Sequence, residues 1–139
     1  MLKNVDDSGE LDEDNLFYPE NLPGKDFRRK ISISSILDAP YLVFWINRAD
    51  PVSQKVLRTK ITPSQQITLP SGNVLKLSAI VVHRGAISSG HYITFFKCRE
   101  QWYLYDDLSP RIKQFGTYNK MLDKYSKYVR SYGVLYFYT

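Results

Sequence analysis

Apolar and polar positions along the chain predict mainly β-strands. The run from Tyr41 to Asn47 is apolar, aromatic and β-branched, and it is typical of a buried central strand. From Lys55 to Ile61, basic and apolar residues alternate as they do in a half-exposed strand. Turn-forming residues separate the further strands that the pattern predicts, which lie at 67–69, 74–83, 91–97, 101–106, 112–115 and 134–138.

One segment has helical periodicity instead. Between residues 118 and 129, apolar side chains recur on a single helix face, namely Tyr118, Met121, Leu122, Tyr125 and Val129. Residues 31–37 are compatible with either a short strand or the start of a helix. Many strands, hairpin-length turns and one amphipathic helix predict an α+β fold, in which a mainly antiparallel sheet packs against that helix.

Composition narrows the class of protein. The chain has 139 residues, of which 43% are hydrophobic and 14% aromatic, which is enough for one compact domain with a core. Its single cysteine cannot form an internal disulfide, which fits a reducing compartment. We find no signal-peptide core and no apolar run that would span a membrane. These features predict an intracellular protein, cytoplasmic or nuclear, without a membrane partner.

Charge divides the chain into two parts. Residues 1–20 hold seven acids and one base, whereas the remainder holds 18 bases and 7 acids, a net charge of +11. We interpret residues 1–30 as an acidic polar tail or linker and residues 31–139 as the folded domain. A functional alternative is that the tail screens a basic face. The basic residues are scattered and match no nucleic-acid motif, so a basic β-rich nucleic-acid-binding domain is the weakest hypothesis.

The residues able to do chemistry concentrate between 77 and 107. An apolar run ends at His83, a loop of small residues follows, and His91 stands between a glycine and a tyrosine. Two aromatic strands then lead to Asp106 and Asp107. If the hairpin turns at residues 98–100, the antiparallel ladder brings His91 opposite residues 106–108. Opposed side chains lie roughly 5 Å apart, so we expect His91 to contact one of the two aspartates, with the register deciding which.

The motif H-x-G, followed by S-G-H-Y and W-Y-x-Y-D-D, resembles the histidine-box half of the ubiquitin-specific proteases, the papain-like cysteine deubiquitinases. The resemblance covers about residues 39–139 and implies a palm-like half of that domain. It implies that His91 is the catalytic base and Asp106 the acid that orients it, with Asp107 as the next candidate. The expected partner is ubiquitin or a ubiquitin-like protein.

The same resemblance implies a substrate path. The loop 84–89 and the turn 48–54 match the positions of two loops that flank the channel for the extended tail of ubiquitin. The small residues of the first loop and the tyrosine after the histidine are then the expected substrate-binding residues, namely Gly85, Ser88, Ser89, Gly90 and Tyr92. The alternative is an ordinary surface loop.

The resemblance lacks the nucleophile. No box containing a cysteine precedes His91 in this sequence. Cys98 lies seven residues beyond His91, which is roughly 23 Å along a strand and on the opposite face, so it cannot serve. A metal site built from His83, His91 and Cys98 lacks tetrahedral ligand spacing, and we predict neither a metal nor a cofactor.

Two classes of function follow from these observations. The chain is either a fragment or subunit of a cysteine deubiquitinase whose cysteine box comes from elsewhere, upstream in the same gene or on another polypeptide, or a non-catalytic relative that binds ubiquitin, a ubiquitin-like protein or another partner. In both cases we expect this chain alone to be inactive.

Overall fold

Seven strands and one α-helix make up residues 38–139, the part of the chain that the computed structural model describes. The predictions for residues 1–30 and 31–37 lie outside this part. In chain order the elements are β1 (Leu42–Trp45), β2 (Gln66–Thr68), β3 (Val74–Gly85), β4 (Gly90–Cys98), β5 (Gln101–Tyr105), β6 (Lys113–Gly116), α1 (Tyr118–Lys127), a π-helical turn (Tyr128–Tyr132) and β7 (Gly133–Tyr138).

All strand pairs in the sheet are antiparallel. The order is β1-β7-β3-β4-β5-β6, and β2 pairs with β3 outside this path. The α+β fold with a mainly antiparallel sheet is therefore confirmed, and the strands predicted at 74–83, 91–97, 101–106 and 134–138 are present with ends that differ by two residues or fewer. No helix within residues 38–139 combines the length and apolarity needed to cross a bilayer.

The β4–β5 hairpin sets the register that matters for the site. Cys98 pairs with Gln101 across a two-residue turn, Arg99–Glu100, whose φ angles are 49° and 63°. Two successive positive φ angles are the mark of the type I′ turn, whose twist matches that of the strands. The ladder then runs regularly to the pair formed by Thr94 and Tyr105. The predicted hairpin is thus confirmed, and residues 106 and 107 follow directly where it ends.

Helix α1 covers one face of the sheet. The hydroxyl of Thr117 accepts the backbone N–H of Lys120, which satisfies one of the free donors at the helix start. Tyr118 and Met121 are buried against a core drawn from the central strands, whose most enclosed members include Ile80, Val82, Phe95 and Leu77. The predicted apolar face of the helix therefore packs on the sheet.

The predicted helix runs to residue 129, but its regular α-helical part ends at Lys127. Tyr125 has non-helical angles, φ −121° and ψ 25°, and a π-helical turn continues the chain from Tyr128. The hydroxyl of Tyr136 donates to the Val129 carbonyl at 3.0 Å. Because a side chain satisfies this carbonyl, the last turn does not need the α-helical pattern.

Two strand predictions were wrong in detail. The strand in 41–47 is at the edge of the sheet that residues 38–139 form rather than central, because among these residues β1 pairs with β7 alone, and the Trp45 side chain is 62% exposed. Residues 55–61 form no strand and contribute a single bridge, between Ala49 and Val56. The reason is that the carbonyls of Leu57 and Thr59 accept hydrogen bonds from the Arg48 side chain, so they have no ladder partner.

The face of the sheet opposite α1 carries large apolar side chains that contact solvent. The register places Val43, Trp45, Tyr92 and Tyr105 on this outer face, and they are 44%, 62%, 61% and 50% exposed. An antiparallel sheet with one solvated face ordinarily carries polar residues there. An apolar outer face of this kind is typical of a surface that contacts another polypeptide.

Candidate active site

A histidine and two aspartates meet where β4 begins and β5 ends. Nε2 of His91 lies 2.7 Å from Oδ1 of Asp106 and 3.3 Å from Oδ1 of Asp107. The contact that the hairpin register predicted is therefore present. The side chains of His91 and Asp106 are 28% and 24% exposed, so this pair is partly enclosed yet open to a ligand.

The local fold explains how Asp106 reaches the imidazole. The β4–β5 ladder ends at Thr94 and Tyr105, and the chain then turns, with the Ser109 N–H donating to the Asp106 carbonyl. The Asp106 carboxylate also accepts the backbone N–H of Leu108 at 3.0 Å. This second bond fixes the carboxylate, so that it faces the histidine from just beyond the last ladder pair.

The electrostatics favour an ionised Asp106. The hydrogen bond from His91 lowers the pKa of the Asp106 carboxyl, and the backbone N–H of Leu108 and the charge of Arg84 lower it further. An ionised carboxylate only accepts hydrogen bonds, so Nε2 of His91 carries the hydrogen. In the neutral ring, Nδ1 is then the basic nitrogen, and among residues 38–139 it has no hydrogen-bond partner.

The same three side chains are the ones that a cation would contact. Potential ligand atoms of His91, Asp106 and Asp107 all lie within 4.8 Å of one another. Asp107 is 64% exposed and makes the longer contact to the imidazole. Within the described part of the chain, His83, His91 and Cys98 form no such group. That the site needs no metal stays a prediction.

Cys98 lies at the far end of β4 from His91 and is exposed. Its position matches the separation that the strand geometry predicts. The described residues therefore contain no thiol beside the imidazole.

The two glycines predicted to admit substrate are required by the fold itself. A Cβ on Gly90 would overlap the imidazole of His83 and lie 2.5 Å from the Arg84 carbonyl oxygen. Gly85 has φ +108°, and a Cβ there would be 2.8 Å from the Ser89 carbonyl oxygen. Contacts within the chain thus account for both glycines, and a role in substrate binding stays a prediction for them, as it does for Ser88 and Ser89 in the exposed loop.

Tyr92 faces a cavity of about 270 Å³ at the same end of the sheet. The wall includes Arg48 from the predicted turn and Ile87 from the predicted loop, as well as His83, whose ring lies 4.7 Å from that of Tyr92. Tyr92 and His91 are neighbours on one strand, so their side chains leave opposite faces of the sheet. A ligand at the end of β4 would therefore have to contact both faces to reach the cavity and the imidazole.

Arg48 is a positioning residue whose role the sequence did not reveal. It is 5% exposed and donates to four backbone carbonyls: Gly133 at 2.6 Å, Leu57 at 3.2 Å, Thr59 at 2.9 Å and Arg130 at 2.9 Å. Burial lowers its pKa, and the nearby Tyr136 opposes this effect. One side chain thus joins residues 57–59, the π-helical turn and β7 beside the cavity. The only sequence signal is a lone arginine that ends an apolar strand.

Fold and site together define a domain in which an antiparallel sheet presents a carboxylate-bound histidine, a pair that several hydrolase classes use. The chain belongs to the ubiquitin carboxyl-terminal hydrolase family, whose family model matches residues 3–138. This domain is deubiquitinase-like and corresponds to the C-terminal half of a ubiquitin-specific protease. The family match begins well before residue 39, where the motif resemblance begins, so the boundary at residue 30 stays a prediction.

Solved structures share the fold. A chain of the Ubp8–Sgf11–Sgf73–Sus1 SAGA DUB module aligns with TM-score 0.57 at 22% identity, and the module bound to monoubiquitin aligns with 0.56 at 21%. A yeast SAGA DUB module gives 0.55 at 21%. Each alignment covers 71% of this chain but 23% of the solved chain, so the present chain corresponds to one part of those longer proteins. No curated protein gives a significant sequence match.

Proposed function

We propose that this chain supplies the base and the orienting acid of a cysteine deubiquitinase, and that the thiol comes from a cysteine box outside these 139 residues. The observation that carries the proposal is the 2.7 Å contact between Nε2 of His91 and Oδ1 of Asp106. A base fixed in one tautomer by a carboxylate is what thiol activation requires. A ubiquitin-directed role implies an intracellular protein, in the cytoplasm or the nucleus.

Each residue then has a specific task. Nδ1 of His91 takes the proton from the incoming cysteine thiol, and the thiolate attacks the carbonyl carbon at the C-terminus of ubiquitin. The imidazolium returns its proton to the leaving amine, and Asp106 stabilises the charged ring throughout. Asp107, which lies 3.3 Å from the same nitrogen, adds negative charge beside that imidazolium.

The apolar outer face supports a polypeptide partner. Val43, Trp45, Tyr92 and Tyr105 offer a contact surface on the side of the sheet that α1 leaves uncovered. The cavity behind Tyr92 lies between the loop and the turn that the family resemblance assigns to the ubiquitin tail. These features also support the second candidate, a non-catalytic module that binds ubiquitin or a ubiquitin-like protein without turnover.

Fluorogenic ubiquitin cleavage tests the proposal directly. The purified chain alone should be inactive, because removal of the nucleophile costs on the order of 10⁶ in rate in a well-studied protease. Addition of a cysteine-bearing half of a ubiquitin-specific protease should restore turnover. That turnover should be lost with His91→Ala and reduced with Asp106→Asn, while Cys98→Ser leaves it unchanged.

Two outcomes would decide against the proposal. Turnover by the chain alone that disappears with Cys98→Ser would contradict the predicted separation of thiol and imidazole. No turnover under any pairing, combined with saturable ubiquitin binding that Tyr92→Ala weakens, would favour the non-catalytic module. Tyr92 suits this test because it is 61% exposed, so its truncation removes little buried surface.

A further inference from the structure

Three tyrosines form a continuous row along α1 and the π-helical turn, and each is partly buried against the core. The ring centroids of Tyr125 and Tyr128 are 5.9 Å apart, and those of Tyr128 and Tyr132 are 5.6 Å apart. Four basic side chains lie over these rings. The whole set, which we name the tyrosine–basic ridge, comprises Tyr125, Tyr128, Tyr132, Arg58, Arg84, Lys124 and Lys127.

Each cation of the ridge lies within 6.0 Å of the centroid of a tyrosine ring. The Arg58 guanidinium carbon lies 3.7 Å from the centroid of the Tyr132 ring, and that of Arg84 lies 5.0 Å from the Tyr128 centroid. The ammonium group of Lys124 is 5.9 Å from the centroid of the Tyr125 ring, and that of Lys127 is 6.0 Å from the Tyr132 centroid. Ring contacts of this kind hold the cations in place but do not neutralise their charge.

The cations of the ridge have no carboxylate at ion-pair distance within the described residues. None of the four forms an ion pair between residues 38 and 139, although the charge of Arg84 also acts on the Asp106 carboxylate. Arg58 donates from Nη2 to the Gly85 carbonyl at 2.9 Å, but its Nη1 is enclosed and has no hydrogen-bond partner. A buried guanidinium nitrogen without an acceptor is costly, so Arg58 would be stabilised if it moved to meet an acceptor.

The arrangement favours carboxylates over nucleobases. The cations already occupy ring faces, so a base would have to displace a cation before it could stack on a tyrosine. A carboxylate, in contrast, approaches the cations from solvent and forms charge-assisted hydrogen bonds with them. The ridge therefore suits an acidic peptide.

We propose that the tyrosine–basic ridge binds the acidic segment of this same chain, residues 6–14. This segment contains six acids and no base. The 24 residues from Asp14 to Asp38 can span up to about 80 Å when extended. The Asp38 carboxylate accepts from the Asn73 side chain at 2.7 Å, just before β3 begins, and Arg84 lies about 36 Å further along that strand. The acidic segment can therefore reach the ridge.

Lysine acylation on the full chain tests the contact. The comparison variant neutralises the segment with the substitutions Asp6→Asn, Asp7→Asn, Glu10→Gln, Asp12→Asn, Glu13→Gln and Asp14→Asn. Mass spectrometry measures how fast Lys124 and Lys127 are acylated. The rate should be about three-fold higher in this variant than in the parent at low salt. The parent at high salt should show the same increase, because salt screens the attraction between the acidic segment and the lysines. Lys55 and Lys113, which are also exposed, serve as matched controls and should not change.

A binding measurement completes the test. A labelled peptide of residues 1–20 should bind the neutralised variant, and the additional pair Lys124→Gln and Lys127→Gln should weaken it more than the matched pair Lys55→Gln and Lys113→Gln. Equal acylation in parent and variant, or equal weakening by both pairs, would overturn the proposal. Two other results would also overturn it. Lysine protection that disappears on dilution would indicate contact with a second copy of the chain, and a single-stranded oligonucleotide that binds the parent more tightly than the peptide does would indicate a nucleic-acid site.

Discussion

Replacement of Arg48 by methionine should destabilise the fold more than any surface substitution. The side chain donates to four carbonyls from three separate parts of the chain, at distances between 2.6 and 3.2 Å. Methionine has a similar length but donates nothing. The Gly133 carbonyl would then lose its charged donor in a buried place, whereas the Arg130 carbonyl would keep the Ile61 N–H as a donor.

The expected loss in the free energy of unfolding is the balance between lost hydrogen bonds and a lower cost of burying the side chain. A hydrogen bond to a charged group contributes about 1.5–3 kcal/mol, so four such bonds set an upper limit well above the real loss. Carbonyls near the surface, those of Leu57 and Thr59, regain water as a partner. Methionine also removes the cost of burying a guanidinium. We expect a net loss of about 2–4 kcal/mol, because a buried acceptor that loses its donor costs about 1–3 kcal/mol and the other three carbonyls lose part of that. This is a large share of the 5–15 kcal/mol typical of whole domains.

Urea unfolding measures this loss. Trp102 is 3% exposed, so its fluorescence reports on the core, and circular dichroism should give the same midpoint. The slope with urea should stay constant, because the surface exposed on unfolding does not change. Arg48→Lys should fall between parent and Arg48→Met, since one ammonium cannot reach all four carbonyls. Arg111→Met, at an exposed arginine, is the control and should cost less than about 0.5 kcal/mol. A similar small loss for Arg48→Met would refute the reasoning.

Three further predictions concern titration and the strand end. Burial raises the pKa of Tyr138 to about 12. The neutral Tyr138 side chain therefore contributes fully to stability below about pH 10, and this contribution is lost as the pH rises towards 12. In Tyr138→Phe, the free energy of unfolding should decline less over this pH range. The pKa of Asp106 is lowered chiefly by its hydrogen bond to His91, so the stabilising effect of the Asp106 carboxylate is present above the ordinary aspartate pKa and disappears as pH falls. NMR titration of the carboxyl groups should show a higher Asp106 pKa in His91→Ala than in the parent. An unchanged Asp106 pKa would contradict the contact. Gly90→Ala should lower the unfolding midpoint more than Ser88→Ala, because its Cβ would overlap neighbouring atoms, and equal effects would show that the strand end adapts.

The hairpin shows how much of the candidate site local sequence can predict. Alternation in β4 and β5 and a short polar turn between them fix which residues are opposed, since a ladder has only one register per turn type. The approach of His91 to Asp106 follows from that register and the turn after Tyr105. The motif around the histidine likewise led to the family that the match over residues 3–138 shows.

Sequence reasoning failed where long-range contacts decide the backbone. Residues 55–61 alternate like a strand, yet their carbonyls bond to Arg48 and the Ile61 N–H donates to the Arg130 carbonyl. Arg48 and Arg130, which share one of these hydrogen bonds, are 82 residues apart in the chain, and no local pattern encodes such a partner. In the same way, the apolar run of β1 predicts a strand but cannot tell an edge from a centre.

The sequence by itself determined most of the strands, the helix, the β4–β5 register and the family, because periodicity, turn chemistry and a dense motif are local properties. Tertiary structure alone decided that β1 lies at the edge of the sheet formed by residues 38–139 and that Arg48 joins three segments. It also decided that Gly90 is glycine because the His83 ring occupies the space of a side chain, and that four cations gather over three tyrosines. These features depend on contacts between residues that are far apart in the chain, and only packing in three dimensions determines those contacts.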